Sequence, residues 1–248
     1  MKIRILSYNI HKGFTIGNTD FILAKIRNAM REVNADVLFL QEVLGAHEDP
    51  RCRIPDWETA IQFEYLADSV WPHFAYGKNA IYSEGHHGNA ILSKFPIVDW
   101  SNRLISTNRF EQRGLLKAKV MIPQLEREII LANTHLDLTQ GGRDQQARVI
   151  IEDLKKESEI PWVLLGDFND WNKKVSPRIE DGLGVVEAFK HLHGHYPKTF
   201  PSMLPMLSLD RVFLNKLRPI EAIALKDGHW RNLSDHLPLY VEMELEED

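Results

Sequence analysis

Trp162-Val163-Leu164-Leu165-Gly166-Asp167-Phe168-Asn169 is a short apolar run that leads into a carboxylate. Four consecutive apolar residues with no polar face read as a strand covered on both sides. Asp167 and Asn169 fall two residues apart, on one tight turn. The pattern recurs: Val37-Leu38-Phe39-Leu40 runs into Gln41-Glu42, Leu209-Asp210 adjoins Val212-Phe213-Leu214, and Ser234-Asp235-His236 precedes Leu237-Pro238-Leu239-Tyr240-Val241. His135 follows a fifth run, Ile129-Ile130-Leu131. A buried strand delivers its end residue with high positional precision, so the core itself places these carboxylates and this imidazole.

Outward from these runs, residues 3–8 read as a strand ending at Asn9. Asn18, Thr19 and Asp20 offer an N-cap to a helix whose apolar face is Leu23, Ile26, Met30 and Val33. Trp57, Ile61 and Tyr65 suggest a second helix, and Ala147, Ile150, Ile151 and Leu154 a third. Residues 89–93, 97–105, 114–122 and 128–133 read as successive strands, and 209–214 and 237–243 as the terminal two. Between 170 and 205, Pro and Gly break the pattern. With apolar runs spread evenly and no linker-like stretch, the chain is expected to be α/β: two packed mixed β-sheets with helices outside, in a single domain over 1–248.

A length of 248 residues with 44% hydrophobic content supports a sizeable core. The 35 acidic and 30 basic side chains give a net charge of −5, which argues against a bulk-charge grip on nucleic acid. A local stripe remains: Arg103, Arg109, Arg113, Lys117 and Lys119 oppose only Glu111. It either steers a polyanion or is the solvated face of alternating strands. Cys52 is the only cysteine, which excludes a disulfide framework and a cysteine zinc site. The N-terminus shows no apolar leader and no run is long enough to span a bilayer, so a soluble chain in a reducing compartment, the cytoplasm, is expected. The sequence lacks Gly-x-Ser-x-Gly, His-Glu-x-x-His, Walker A and Gly-x-Gly-x-x-Gly, which argues against an α/β-hydrolase, a zincin and a nucleotide-driven enzyme.

Six motifs occur in order: Ser-Tyr-Asn9-Ile, Leu-Gln-Glu42-Val, Asn-Thr-His135-Leu-Asp137, Gly-Asp167-Phe-Asn169, Leu-Asp210-Arg and Ser-Asp235-His236-x-Pro238. Each alone is weak. Together, from Asn9 to Pro238, they resemble the endonuclease/exonuclease/phosphatase (DNase I-like) superfamily. The chain's size and the segment from Glu84 to Ser93 look most like its stand-alone bacterial YbhP-like branch. The resemblance implies a DNase I-like four-layer sandwich, metal-dependent cleavage of a phosphate ester, and a site assembled from these motifs.

The residue types fit that chemistry. Glu42 is a hard oxygen ligand suited to Mg²⁺ or Mn²⁺, with Asn9 and Asp235 as auxiliary ligands, direct or through water. Alone, Glu42 and Asp235 read as ordinary turn carboxylates; the ordered set weighs against that. Asp167 is a candidate to orient or deprotonate the attacking water, and Asn169 to donate to the charge developing on phosphorus. Asp167-x-Asn169 does not continue as a calcium loop, because Asn172 and Arg178 stand where glycine and glutamate are needed. His236 is either an imidazole base or a cation that stabilises the pentacovalent state, and Asp210 orients its second nitrogen. His135 is a candidate phosphate or leaving-group donor. Asn89 and Arg113 are weaker candidates for phosphate contacts; Asn89 alternatively ends a strand and Arg113 alternatively forms a surface ion pair.

His191-x-His193-x-His195 reads as an exposed turn rather than a metal tract. His86-His87, between glycines, either edges the site or does not. The segment from Phe200 to Leu207 either packs into the core or forms an exposed apolar loop suited to a lipid headgroup and its membrane. The expected activity is therefore a divalent-metal-dependent phosphodiesterase. Its substrate is a phospholipid or small phosphodiester, with DNA or RNA as the alternative. A catalytically inactive binding protein on the same fold is the reading of another class.

Overall fold

The computed structural model describes residues 1–17, 19–48, 52, 61–82, 85–107 and 112–245. Two six-stranded mixed sheets pack face to face, with helices on their outer faces. The first is built from β1 (Lys2–Asn9), β2 (Val37–His47), β3 (His73–Tyr82), β4 (Gly85–Ser93), β11 (Leu217–Ala224) and β12 (Leu239–Leu245), in the order β11-β12-β1-β2-β4-β3. The second contains β5 (Ile97–Leu104), β6 (Gly114–Ile122), β7 (Arg127–His135), β8 (Trp162–Asp167), β9 (Val186–Glu187) and β10 (Asp210–Asn215), in the order β5-β6-β7-β8-β10-β9. β1 and β2 are parallel, as are β7 and β8; the other pairings are antiparallel. The helices are α1 (Leu23–Val33), α2 (Gln62–Ala67), α3 (Gln140–Lys155), α4 (Val175–Leu183) and α5 (Ala188–His193).

Strand parity explains both the layers and the site. Successive side chains on a strand point to opposite faces. Ile3 and Ile5 of β1, Val37 and Phe39 of β2, Ile129 and Leu131 of β7, Val163 and Leu165 of β8, and Val212 and Leu214 of β10 fill the layer between the sheets. Leu6, Tyr8, Leu38 and Leu40 instead meet Leu23, Ile26 and Met30 of α1. Trp162, Leu164 and Phe213 meet Ala147, Ile150 and Leu154 of α3 and Val175 and Ile179 of α4. By the same parity Asn9, His135, Asp167 and Asp210 fall on the inter-sheet side at the ends of their strands.

Several expectations are corrected in detail. α1 begins at Leu23 with Ile22 at its cap position and no side-chain cap. Thr19 and Asp20 instead sit in a turn closed by the bond from the Asp20 amide to Thr15 Oγ1, at 3.1 Å. Asn18 and Trp57 lie outside the described residues. Asn89 does not end a strand; it lies inside β4. The stretch after residue 170 is ordered by one carboxylate. Asp170 accepts the amides of Lys174, Val175 and Ser176 at 2.9–3.0 Å, which starts α4, with Pro177 in its first turn where proline is tolerated. No helix among the described residues is long and apolar enough to cross a membrane, a statement that does not extend to membrane-crossing strands.

Candidate active site

Three neighbouring strands bring their polar ends to one level. In the register, His135 stands opposite Asp167, and Asp167 opposite Asp210. Asn9 meets them from the other sheet: its Nδ2 lies 3.2 Å from Asp167 Oδ2 and 3.3 Å from Glu42 Oε1. Parity alone would turn Glu42 towards the helices. The β2–β4 register slips between Leu40 and Val43, and Glu42 sits there at φ +55. This bulge re-aims the carboxylate towards the site. His11, Lys12 and Asn169 share the uncommon positive-φ region, so strained backbone gathers around this end of the sheets. Gly166 is required at the turn into Asp167: at its φ of +136 a Cβ would stand 1.9 Å from the Thr134 carbonyl oxygen.

His236 is the centre of a buried relay. Its Nδ1 is 3.0 Å from Asp210 Oδ2 and its Nε2 is 3.6 Å from Asp167 Oδ2. Thr199 Oγ1 donates to the same Asp210 oxygen at 2.5 Å, and the Phe200 ring lies 5.1 Å from the imidazole. Burial opposes the charge of His236, but Asp210 and then Asp167 hold its pKa up at about 10. Burial raises Asp167 to about 6; His236 pulls it down and Asp210 adds to the rise. At neutral pH the pair is therefore imidazolium beside carboxylate. His135 is the opposite case. Its Nε2 is 3.4 Å from Asp167 Oδ2, yet burial, then Arg113 and His236, push its pKa well below the usual histidine range.

Asn169 is committed to holding the turn. Its amide N–H donates to Asp167 Oδ1 at 2.9 Å and its Nδ2 donates to the Leu136 carbonyl at 2.9 Å. Asp235 joins the rim of the site, with Oδ1 3.4 Å from His11 Nδ1 and 3.2 Å from Ser234 Oγ. Asn89 Nδ2 reaches across to the Gly114 carbonyl at 3.3 Å, so its amide spans the two sheets. The Arg113 charge acts on His135, His87 and Asp137, which puts the guanidinium beside the site.

Asp167, Asp210 and His236 each offer a ligand atom, all within 4.8 Å of one another, and can hold a divalent cation. This trio differs from the ligand set expected from sequence, Asn9, Glu42 and Asp235. Glu42 also passes a test of fit. Burial pushes it up, but Lys12, His11 and the Asn9 amide bring its carboxyl below the ordinary value, so it is ionised. Among the described residues it accepts one hydrogen bond, from Asn9. That leaves acceptor capacity for a hard cation. Asn9 presents nitrogen rather than oxygen here, because its Oδ1 accepts the His11 amide at 3.1 Å; direct ligation needs the amide turned over.

Sequence reasoning missed Lys12, His11 and Thr199. Adjacency to the Asn9 motif was the only signal for the first two, and Thr199 had none. The basic stripe proves to be a paired face. Arg103 and Lys117 bond Asp153 at 3.2 and 2.6 Å, and Lys119 lies 3.4 Å from Glu128. Arg109 and Glu111 lie outside the described residues. His193 and His195 spend a ring nitrogen each on the Ala222 and Tyr196 carbonyls, so the His191 to His195 tract is not a preformed metal site. His87 does edge the site, held at a pKa of about 4 by burial and then Lys12.

A model of the Endonuclease/Exonuclease/phosphatase family matches residues 6–236. Uncharacterized protein YbhP of Escherichia coli (strain K12) is 40% identical over 243 residues, 98% of this chain and 96% of that protein. An endonuclease/exonuclease/phosphatase from Beutenbergia cavernae DSM 12333 superposes with a TM-score of 0.76 at 19% identity, over 99% of this chain and 72% of that one. D. rerio TDP2, complexed with single strand DNA product, superposes with a TM-score of 0.73 at 21% identity, over 98% of this chain and 99% of that one. At these identities the two structures establish the shared fold.

Proposed function

The chain belongs to the endonuclease/exonuclease/phosphatase family, and on that premise we propose that it is a Mg²⁺- or Mn²⁺-dependent phosphodiesterase acting as a single domain. The observation that carries the reading is the convergence of Asn9, Glu42, His135, Asp167, Asp210 and His236 from two sheets onto one buried centre. Glu42 would hold the cation, with Asn9 and Asp235 assisting. A cation bound there supplies Lewis-acid polarisation of a phosphate oxygen.

This chain's residues do the rest. Asp167, ionised above about pH 6, takes a proton from the attacking water as its oxygen bonds to phosphorus and the opposite ester P–O bond breaks. His236, held protonated by Asp210, balances charge on the pentacovalent phosphorus. Its raised pKa favours the cation role over the base role. His135 stays neutral and orients a phosphate oxygen, and Asn169 fixes the rotamer of Asp167. Arg113 supports the binding of substrate charge, and Asn89 holds the sheets together beneath it. A cytoplasmic location, in keeping with a single cysteine, belongs to this proposal.

A nuclease is the second reading. It is supported by exposed Trp171, two residues past Asn169, whose ring is free to stack on a base. The deciding experiment is turnover of a soluble aryl phosphodiester. We expect no activity in chelator, recovery with Mg²⁺ or Mn²⁺, and a weakened metal titration in Glu42→Gln. Full activity in chelator after dialysis would remove the metal reading, and an unchanged titration would remove Glu42 from the site.

A further inference from the structure

Residues 200–207 form a narrow loop whose tip faces solvent: Met203 is 55% exposed, Leu204 66% and Met206 60%. Unbranched and γ-branched side chains at this exposure gain nothing from water. The loop's backbone is nonetheless satisfied from within. Leu204 donates to the Pro201 carbonyl, Met206 and Leu207 to the Phe200 carbonyl, and Ser202 to the Asp235 carbonyl, at 2.8–3.1 Å. Pro201 and Pro205 have no amide hydrogen to satisfy. From Pro201 to Leu207, only the Met203 amide lies outside this set. Such a segment can leave water without stranding its donors.

The base of the loop opens on a groove of about 670 Å³ whose floor is apolar and whose rim carries Lys198, Lys226 and Arg231. No carboxylate lines it, in a chain where acidic side chains outnumber basic ones by 35 to 30. Arg231 also binds the loop, donating to the Met203 carbonyl at 2.6 Å. The other side of the base is the catalytic centre. Thr199 bonds Asp210, Phe200 stacks near His236, and Ser202 bonds the Asp235 carbonyl.

We propose that this loop and groove are a docking surface for an anionic phospholipid bilayer: Met203, Leu204 and Met206 enter its interfacial layer while Lys198, Lys226 and Arg231 meet headgroup phosphates. An apolar tip over a cationic base matches the order of apolar chains and anionic headgroups met on entering a membrane. The docked orientation sets the catalytic centre against the lipid surface. That consequence rests on the phosphodiesterase reading, whereas docking itself does not.

The test is cosedimentation of the intact protein, in chelator, with vesicles of phosphatidylcholine and of phosphatidylcholine mixed with phosphatidylglycerol. The expected result is tighter binding to the anionic mixture, and a loss of about tenfold or more on both in a Met203→Ser, Leu204→Ser, Met206→Ser triple variant. A Lys198→Gln, Lys226→Gln variant should abolish the difference between the two vesicle types. All variants should hydrolyse a soluble aryl phosphodiester with Mg²⁺ as the parent does, which also controls for folding. Absent vesicle binding, or unchanged binding in the triple variant, overturns the proposal. So does a self-associating protein whose dimer, rather than vesicle binding, is lost on the serine changes. Oligonucleotide capture by the groove that ignores those changes overturns it as well. Vesicle binding without turnover of any phosphodiester would keep the docking surface and sink the phosphodiesterase reading; turnover without vesicle binding would do the reverse.

Discussion

Asp167 Oδ2 has three neighbours: Asn9 Nδ2 at 3.2 Å, His135 Nε2 at 3.4 Å and His236 Nε2 at 3.6 Å. Only His236 carries charge, and it does so because Asp210 stands behind it. The two aspartates therefore act on opposite sides of one imidazolium, and removing either changes the other's partner. Asp167→Asn and His236→Ala should each lower turnover by about two to four orders of magnitude. Asp210→Asn should act through His236, so its loss should nearly vanish in an Asp210→Asn, His236→Ala background; fully additive losses would mean that they are not a unit. The pH profile follows from the same geometry. Asp167 must be ionised, so turnover should fall as pH drops through about 6, and a bound cation would move that limb lower. An acid limb that persists unchanged in the residual activity of Asp167→Asn would assign it to another group.

At the scale of elements, what the sequence revealed depended on periodicity. β1, β2, β6, β7, β8 and β12 were legible because their apolar runs are long or alternate cleanly. β3 and β11 were not. Both are edge strands, and β11 carries Pro219 beside a register shift to Glu221, where an edge tolerates a missing donor. α4, β9 and α5 were hidden because buried charges hold them rather than an apolar pattern. Arg211, wholly buried, donates to Ser176 Oγ at 2.7 Å and the Asp210 carbonyl at 2.9 Å, with Asp170 Oδ2 3.7 Å away. Glu187 accepts the Lys190 amide at 2.8 Å, capping α5, and the Val212 amide at 3.2 Å, tying it to β10. Burial raises Glu187 to about 7 from an ordinary 4.5. The folded state thus keeps a proton that the unfolded chain releases. The associated stability is complete below about 4.5 and is lost as pH rises through about 7. Comparing urea unfolding at pH 5 and pH 8, Glu187→Gln should lose less stability than the parent, by a difference on the order of 3 kcal/mol. Identical pH slopes would mean that Glu187 ionises normally in the fold.

For the whole molecule, the motifs disclosed which residues meet but not how the charges around them are spent. Six strand-end motifs located the centre because strand ends are positioned by the core. The stripe from Arg103 to Lys119 looked like a polyanion track because its partners, Asp153 and Glu128, lie on α3 and β7, outside the stripe. A paired cation releases few counterions, since it already has an anion at hand. A polynucleotide binding this chain would then neutralise few of its phosphates with that face. For duplex DNA the logarithm of affinity falls with the logarithm of salt by about 0.9 per phosphate neutralised. We therefore expect oligonucleotide binding, if measured in chelator to prevent cleavage, to be weak and to show a slope shallower than about −3. An Arg103→Gln, Lys117→Gln variant should leave that slope where it is. The ion pairs would have to open for any other result, and opening them exposes Asp153 as well, which repels the strand. A slope of about −5 or steeper that flattens in the double variant would show the pairs giving way to phosphate, and would make a nucleic acid the better substrate for this centre.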